Sequence, residues 1–212
     1  MPARVPSPYK PARPALVEPI QQPLNSSVVL PAAAPPSQAL FFQTTQGSPG
    51  FNPVYTNMET QGQLSNPKIF VIRGFRLHVA QSLIVNGTSQ QITTDLAPKF
   101  TLETIAESYW YRMFIGVKEY LRTPMFYVSS GLGVWASMAG AGGATPNTFG
   151  AVSALGAPHH SNYYKITRRP IVIPPQQNFQ GELNLGPALA SFAAPDARVW
   201  NFLEGDLGRE VM

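Results

Sequence analysis

Proline constrains this chain more than any other residue, since 22 of its 212 residues are proline. Twelve of these prolines lie in residues 1–53. Each proline fixes φ, removes a backbone donor and favours an extended conformation in the residue before it. We therefore expect residues 1–53 to form an extended arm, close to polyproline II in places. Residues 54–212 then form the folded domain.

The arm differs in composition from a disordered tail, because it is rich in apolar side chains and poor in charge. Apolar residues on an extended strap are stabilised when the strap lies in a groove. We therefore predict that the arm docks on a neighbouring subunit. The apolar residues predicted to make this contact are Leu16, Ile20, Leu24, Val28, Leu30, Phe41 and Phe42. The basic residues Arg4, Lys10 and Arg13 near its tip either contact phosphate or lipid headgroups, or simply keep a chain end soluble.

Two long stretches of the sequence carry no charge at all. Neither Pro19–Met58 nor Thr123–Tyr164 contains Asp, Glu, Lys or Arg, and only 12% of the whole chain is charged. Solvated surface normally carries charge. These stretches are therefore expected to be covered by the chain itself or by another copy, unless they are low-complexity linkers. The second stretch includes a Gly- and Ala-rich loop over residues 129–160, whose Trp135 and Phe149 are further candidates for subunit contacts.

The segments after the arm show the alternating pattern of β-strands. Lys68–Ala80 predicts a long strand with a bulge at Gly74, where the apolar positions change phase. Tyr109–Leu121 predicts a second long strand, and Phe179–Leu185 has one apolar face. Arg198–Leu203 predicts the final strand, followed by a short tail.

The number of these strands and their turn residues predict an all-β domain. About eight short strands with no βαβ alternation favour a single jelly roll or β-sandwich barrel over a helical or α/β fold. The formal charge of +4 is small and dispersed, so the composition does not indicate a dedicated nucleic-acid binder.

No group of residues in the sequence has the pattern of an active site. The chain has no cysteine, and its histidines are His78, His159 and His160. A metal-dependent jelly-roll enzyme would use these histidines together with a carboxylate. The pair His159–His160 lies in an uncharged loop with no acidic residue nearby. We therefore predict that the protein is not an enzyme, has no metal or organic cofactor and takes no small-molecule substrate.

Two further clusters leave alternatives open. Tyr109, Trp110 and Tyr111 either pack in the core and at a subunit contact, or form, with Trp135, the stacking platforms of a carbohydrate-binding β-sandwich such as a receptor-binding spike. The basic residues Lys165, Arg168 and Arg169 contact either phosphate or the acidic residues of a neighbour, such as Asp206 and Glu210.

Two segments carry a resemblance to a known group of proteins. Ile171–Leu185, IVIPPQQNFQGELNL, looks like a late barrel strand, and Val199–Arg209, VWNFLEGDLGR, looks like a final strand with its closing turn. With the arm and the long uncharged loop, these segments make the chain similar to the small single jelly-roll capsid proteins of tailless icosahedral phages and viruses with an internal membrane.

The resemblance implies a structural role. Such a chain forms a homo-oligomeric icosahedral shell, alone or with a second capsid protein, and is assembled in the host cytoplasm into the virion. Its arm reaches across neighbouring subunits or towards the internal membrane or the genome. Whether the chain is the major shell subunit or a smaller companion is left open by the resemblance.

Overall fold

The computed structural model describes residues 17–81, 84–85, 88–89, 104–130, 134–136, 152–154, 163–167, 169–186, 191 and 196–210. Nearly all regular structure in these residues is strand, and the sheets of more than two strands are antiparallel. Helix is limited to residues 104–108 (α1) and to Met125–Val128 (α2). The strands are β1 (Val17–Gln21), β2 (Leu24–Leu30), β3 (Gln38–Phe41), β4 (Ile69–Gln81), β5 (Ile84–Val85), β6 (Thr88–Ser89), β7 (Tyr109–Ile115), β8 (Lys118–Pro124), β9 (Val134–Ala136), β10 (Val152–Ala154), β11 (Tyr164–Lys165), β12 (Ile171–Ile173), β13 (Phe179–Leu185) and β14 (Ala197–Glu210).

The larger sheet, sheet 1, is built around β14 and β4, which pair along almost their whole length. The other side of β14 pairs with β2 and then with β1, which lie end to end and are separated by Gln22 and Pro23. The other side of β4 pairs with β12 and β11, also end to end. Sheet 1 is therefore four strands wide although it contains six strands.

The smaller sheet, sheet 2, has the order β3-β13-β7-β8. The sequence predicts one strand over Tyr109–Leu121, and this prediction is wrong. The chain reverses at Gly116 and Val117, so β7 and β8 form a hairpin. Gly116 has a φ of 58°, a conformation that glycine adopts without the steric cost of a side chain.

The predicted bulge in β4 is confirmed. Glu204 pairs with Gly74 and Gly205 with Ile72, so Arg73 is an extra residue without a partner in the ladder. A side chain at position 74 would overlap the ring of Tyr163. The bulge changes which residues of β4 face inward, and the buried ones on its two sides are Phe70, Ile72, Phe75, Leu77 and Val79.

The last strand is longer than the sequence pattern predicts. Residues 204–210 belong to β14 and do not form a tail, because residues 206–210 pair with β1 along one edge. This pairing brings the described N-terminal residues against the end of the chain.

One apolar cluster receives side chains from both sheets. A buried hydrogen bond crosses it, in which Asn201 Nδ2 of sheet 1 donates to the hydroxyl of Tyr111 in sheet 2 at 2.8 Å. Gly181 of β13 leaves room for this contact, because a Cβ there would lie 2.5 Å from the same nitrogen. Two antiparallel sheets around a shared core are compatible with a β-sandwich.

The prediction of a separate arm over residues 1–53 is wrong for its described part. Leu24, Leu30, Phe41 and Phe42 are buried in the chain's own core, and the single chain leaves almost none of their surface exposed. Ile20 and Val28 are half-buried and pack against that core, while Leu16 lies outside the described residues. The prolines are compatible with this arrangement because edge strands tolerate proline, whereas central strands do not.

Deletion of residues 1–30 tests this correction. It would remove β1 and β2, leave one edge of β14 unpaired and uncover the core beside Leu24 and Leu30. Loss of a single buried leucine side chain costs about 2–5 kcal/mol, and a typical domain is stable by only about 5–15 kcal/mol. We expect the truncated chain to lose its cooperative thermal unfolding transition in circular dichroism.

The matched control is deletion of residues 1–16, which leaves every described strand in place and should preserve a cooperative transition. A cooperative transition with an unchanged midpoint after deletion of residues 1–30 would show that the N-terminal strands do not stabilise the domain.

Candidate interaction surfaces

Several candidate residues from the sequence analysis lie outside the residues that the structure describes. His159, His160, Phe149, Arg4, Lys10 and Arg13 fall outside the described residues, as does Arg168. Trp135 lies in β9 opposite Ser153, and its side chain is not among those described. In the described part of the chain, no group of three or more His, Cys, Asp and Glu side chains could hold a metal ion. No helix among the described residues is long and apolar enough to cross a membrane.

The structure separates the three neighbouring aromatic residues of β7. Tyr109 and Tyr111 are buried, and burial raises the pKa of Tyr109 to about 12. Trp110 is on the opposite face and keeps 43% of its surface exposed. The two tyrosines therefore cannot be stacking platforms for a sugar, and Trp110 remains available.

Of the basic residues after the long loop, Lys165 lies in β11 at the edge of sheet 1, and Arg169 lies between β11 and β12. Lys165 and Arg169 are exposed and pair with no carboxylate of the described residues. Lys165 Nζ is 5.3 Å from the centre of the Tyr163 ring. Asp206, which the sequence suggests as an acidic partner from a neighbouring copy, instead pairs within the chain with Arg73 at 2.5 Å.

The outer face of sheet 1 carries an aromatic cluster that the sequence does not reveal. We call Tyr55, His78, Arg198 and Trp200, with the exposed Val54, the Trp200 surface. Alternation along β4 and β14 directs His78, Arg198 and Trp200 outward. The loop before β4 places the Tyr55 ring beside Trp200 and Arg198. The indole nitrogen of Trp200 donates to the carbonyl of Val54 at 3.0 Å and fixes the loop to the sheet.

The rings and the guanidinium of this surface lie within direct contact range. The ring centres of Tyr55 and Trp200 are 6.4 Å apart, and those of His78 and Trp200 are 5.6 Å apart. The guanidinium carbon of Arg198 lies 3.9 Å from the centre of the Tyr55 ring, a cation–π contact. These contacts hold the side chains in fixed positions before any partner binds.

Arg198 differs from Arg76, which lies further along the same face of sheet 1, in how its charge is balanced. Arg76 pairs with Glu204 at 2.6 Å. Arg198 donates to the hydroxyl of Ser27 at 3.3 Å and pairs with no carboxylate of the described residues. Arginine, tyrosine and tryptophan are the residues that most often dominate the binding energy of protein interfaces. The Trp200 surface therefore has the composition of an interface centre and one uncompensated positive charge.

The ionic network on the outer face of sheet 2 has a different character, because its charges are already paired. Arg112 lies 2.5 Å from Glu119 and 3.6 Å from the buried Glu182. Glu182 also accepts a hydrogen bond from Gln180 at 2.7 Å. These contacts link three strands of sheet 2, so the network is explained as a stabilising contact within the sheet.

One edge of each sheet is poorly suited to pairing with another chain. The edge strand β8 carries Lys118, Arg122 and Pro124, and all three are exposed. At the edge of sheet 1, β12 has three residues and lies between Pro170 and Pro174. Charge, proline and short length are the features by which natural proteins prevent edge-to-edge association. Pairing with another chain is therefore disfavoured at these two edges.

Burial and the positive charge of Arg76 lower the pKa of His78, with burial as the larger cause. The folded protein therefore binds fewer protons at this site than the unfolded chain when the pH falls below about 6.5. Stability must decrease as the pH falls through this range, because protons bind preferentially to the unfolded state.

We expect chemical denaturation between pH 7.5 and 5.0 to show this loss of stability, and the variant His78→Gln to show a smaller loss over the same range. Identical pH dependence of the two proteins would contradict the assignment to His78.

Comparison with known proteins provides no relative for this chain: no protein-family model, curated protein or solved structure matches it. The functional interpretation therefore rests on strand order and on the described surfaces.

Proposed function

We propose that the two sheets form a single jelly roll. The order of the strands carries this proposal. Sheets 1 and 2 together contain eight strand positions along the chain, if β1 with β2 and β11 with β12 each count as one; β5, β6, β9 and β10 form separate two-stranded sheets. The first position pairs with the eighth, the second with the seventh, the third with the sixth and the fourth with the fifth. A long antiparallel ribbon gives these pairs, and rolling it up adds the contacts β4–β14 and β7–β13.

We propose further that the chain is a structural coat subunit of an icosahedral virion, without catalytic activity. Jelly rolls are common among viral capsid proteins, although they also occur in lectin domains and cupins. The support from fold is an analogy, since one fold serves many functions. The observation specific to this chain is that β8 and β12 disfavour edge pairing, while the outer face of sheet 1 presents the Trp200 surface. Such a subunit associates through faces and loops.

The Trp200 surface suits the contact between copies of this chain. Its rings are held in place, so little side-chain entropy is lost on binding. Arg198 then donates hydrogen bonds to a carboxylate of the neighbouring subunit, which supplies the missing counter-charge. Residues at the centre of interfaces often contribute about 2 kcal/mol or more each. A closed shell repeats such a contact many times, so moderate individual affinity is sufficient.

The other partners belong to the same proposal. A second capsid protein, the internal membrane or the genome would meet the basic residues Arg4, Lys10, Arg13, Lys165, Arg168 and Arg169. The described residues support this only through the exposure of Lys165 and Arg169. Assembly in the host cytoplasm, with the virion as final location, follows from the coat function.

The test compares the purified full chain with two charge-reversal variants by mass photometry and negative-stain microscopy. We expect the full chain to form large particles of uniform diameter as its concentration rises. Arg198→Glu should prevent them, because it places a carboxylate where the proposed partner carboxylate binds. Lys118→Glu is the matched control, because it makes the same charge change at the exposed end of the β7–β8 hairpin.

Unchanged melting temperatures of the two variants would show that both are folded. A full chain that stays monomeric at every concentration would contradict the coat function. Equal assembly of the two variants would contradict the role of the Trp200 surface.

A further inference from the structure

A second surface, on sheet 2, has the features of a ligand site and is separate from the Trp200 surface. A hollow of about 600 Å³ lies beside the beginning of β7 and the end of β8. Its walls come from three segments, at residues 107–110, 122–124 and 186. The backbone nitrogen of Gly186 donates to the carbonyl of Ser108 at 2.7 Å and holds two of the segments together. Ligand pockets commonly have volumes of about 300–1,000 Å³.

Trp110 provides the apolar surface of this hollow. It is 43% exposed. Burial of a large aromatic ring contributes strongly to binding energy, so an exposed indole offers such a contribution to a ligand. The guanidinium carbon of Arg122 lies 4.8 Å from its ring centre, so the cation covers one part of the ring. The remaining exposed surface of the indole faces solvent.

Two opposite charges line the hollow with the indole. Glu107 is exposed and makes no hydrogen bond or ion pair with the described residues. Among the described residues, the one carboxylate that Arg122 contacts is Glu119, at 3.9 Å, and its side chain is 56% exposed. Such surface ion pairs contribute little. An anionic ligand would be repelled by Glu107, and a cationic ligand by Arg122.

We propose that this hollow binds a neutral saccharide. The apolar C–H face of a sugar ring covers the free surface of Trp110. Hydroxyl groups both donate and accept hydrogen bonds, so they match the accepting carboxylate of Glu107 and the donating guanidinium of Arg122. The chemistry thus selects an uncharged polyhydroxyl ligand with one apolar face. The site does not depend on the coat function, although a coat subunit with such a site could attach to surface glycans of a host.

The test measures binding of the full chain to immobilised oligosaccharides of glucose, galactose, mannose and N-acetylglucosamine, with sialylated and sulphated glycans in parallel. We expect saturable binding to at least one neutral glycan. Trp110→Ala should weaken this binding by about tenfold or more, and Glu107→Gln should weaken it less. Phe126→Ala is the matched control, because Phe126 is exposed and lies outside the hollow, and its binding should be unchanged.

Three results would overturn the proposal. They are absence of binding to every neutral glycan, binding only to the charged glycans, and neutral-glycan binding that Trp110→Ala leaves unchanged. Melting temperatures of the variants show whether a loss of binding reflects unfolding. Since particle formation is measured separately, failure here leaves the proposed coat function intact.

Discussion

The pairing of β14 with β4 on one side and with β2 and β1 on the other is the interaction on which the structure depends. It joins the end of the chain to residues near its beginning, with Val199 opposite both Val28 and Val79. Contacts between such distant parts of a sequence are formed at a high cost in loop-closure entropy. Sheet 1 therefore requires both β1 and β2 near the beginning of the described chain and β14 at its end.

The buried contact between Asn201 and Tyr111 fixes how the two sheets face each other. An apolar core alone tolerates several arrangements of the same side chains, whereas a buried hydrogen bond requires one. Asn201 Oδ1 is buried without a hydrogen-bond partner among the described residues. Burying the Asn201 side chain therefore also costs the desolvation free energy of this acceptor. Gly181 permits the contact by leaving the space between them open. The three residues therefore help to fix the packing of the two sheets against each other.

Local signals were sufficient for some elements and not for others. The phase change at Gly74 predicted the bulge, because alternation is a local property of a strand. The hairpin at Gly116 was missed, because apolar and aromatic residues continue on both sides of the turn. The burial of Leu30 and Phe41 was missed for a different reason. Proline disfavours central strands in residues 17–53. The sequence does not show that β2 and β3 instead form edge strands of the two sheets.

The candidate surfaces were predicted less well than the fold. Trp110 was named as one of two alternatives because it lies in a visible cluster of aromatic residues, and its exposure is compatible with a binding role. The Trp200 surface combines residues 55, 78, 198 and 200, which come together only through the pairing of β4 with β14 and the course of the loop before β4. No spacing rule connects such positions. The two long uncharged stretches indicated covered surface. Part of the first one, Pro19–Met58, is covered by the chain itself.

In the proposed assembly, copies of the chain meet through the outer face of sheet 1 while β2 stays within its own subunit. Hydrogen exchange of the free subunit and of the assembled particle tests this claim directly. We expect residues 51–57, in the loop that carries Tyr55, to gain protection on assembly, and residues 24–30 to exchange equally slowly in both states. The opposite result, with a change in residues 24–30 and none in residues 51–57, would show that the N-terminal strands carry the assembly and would contradict the account.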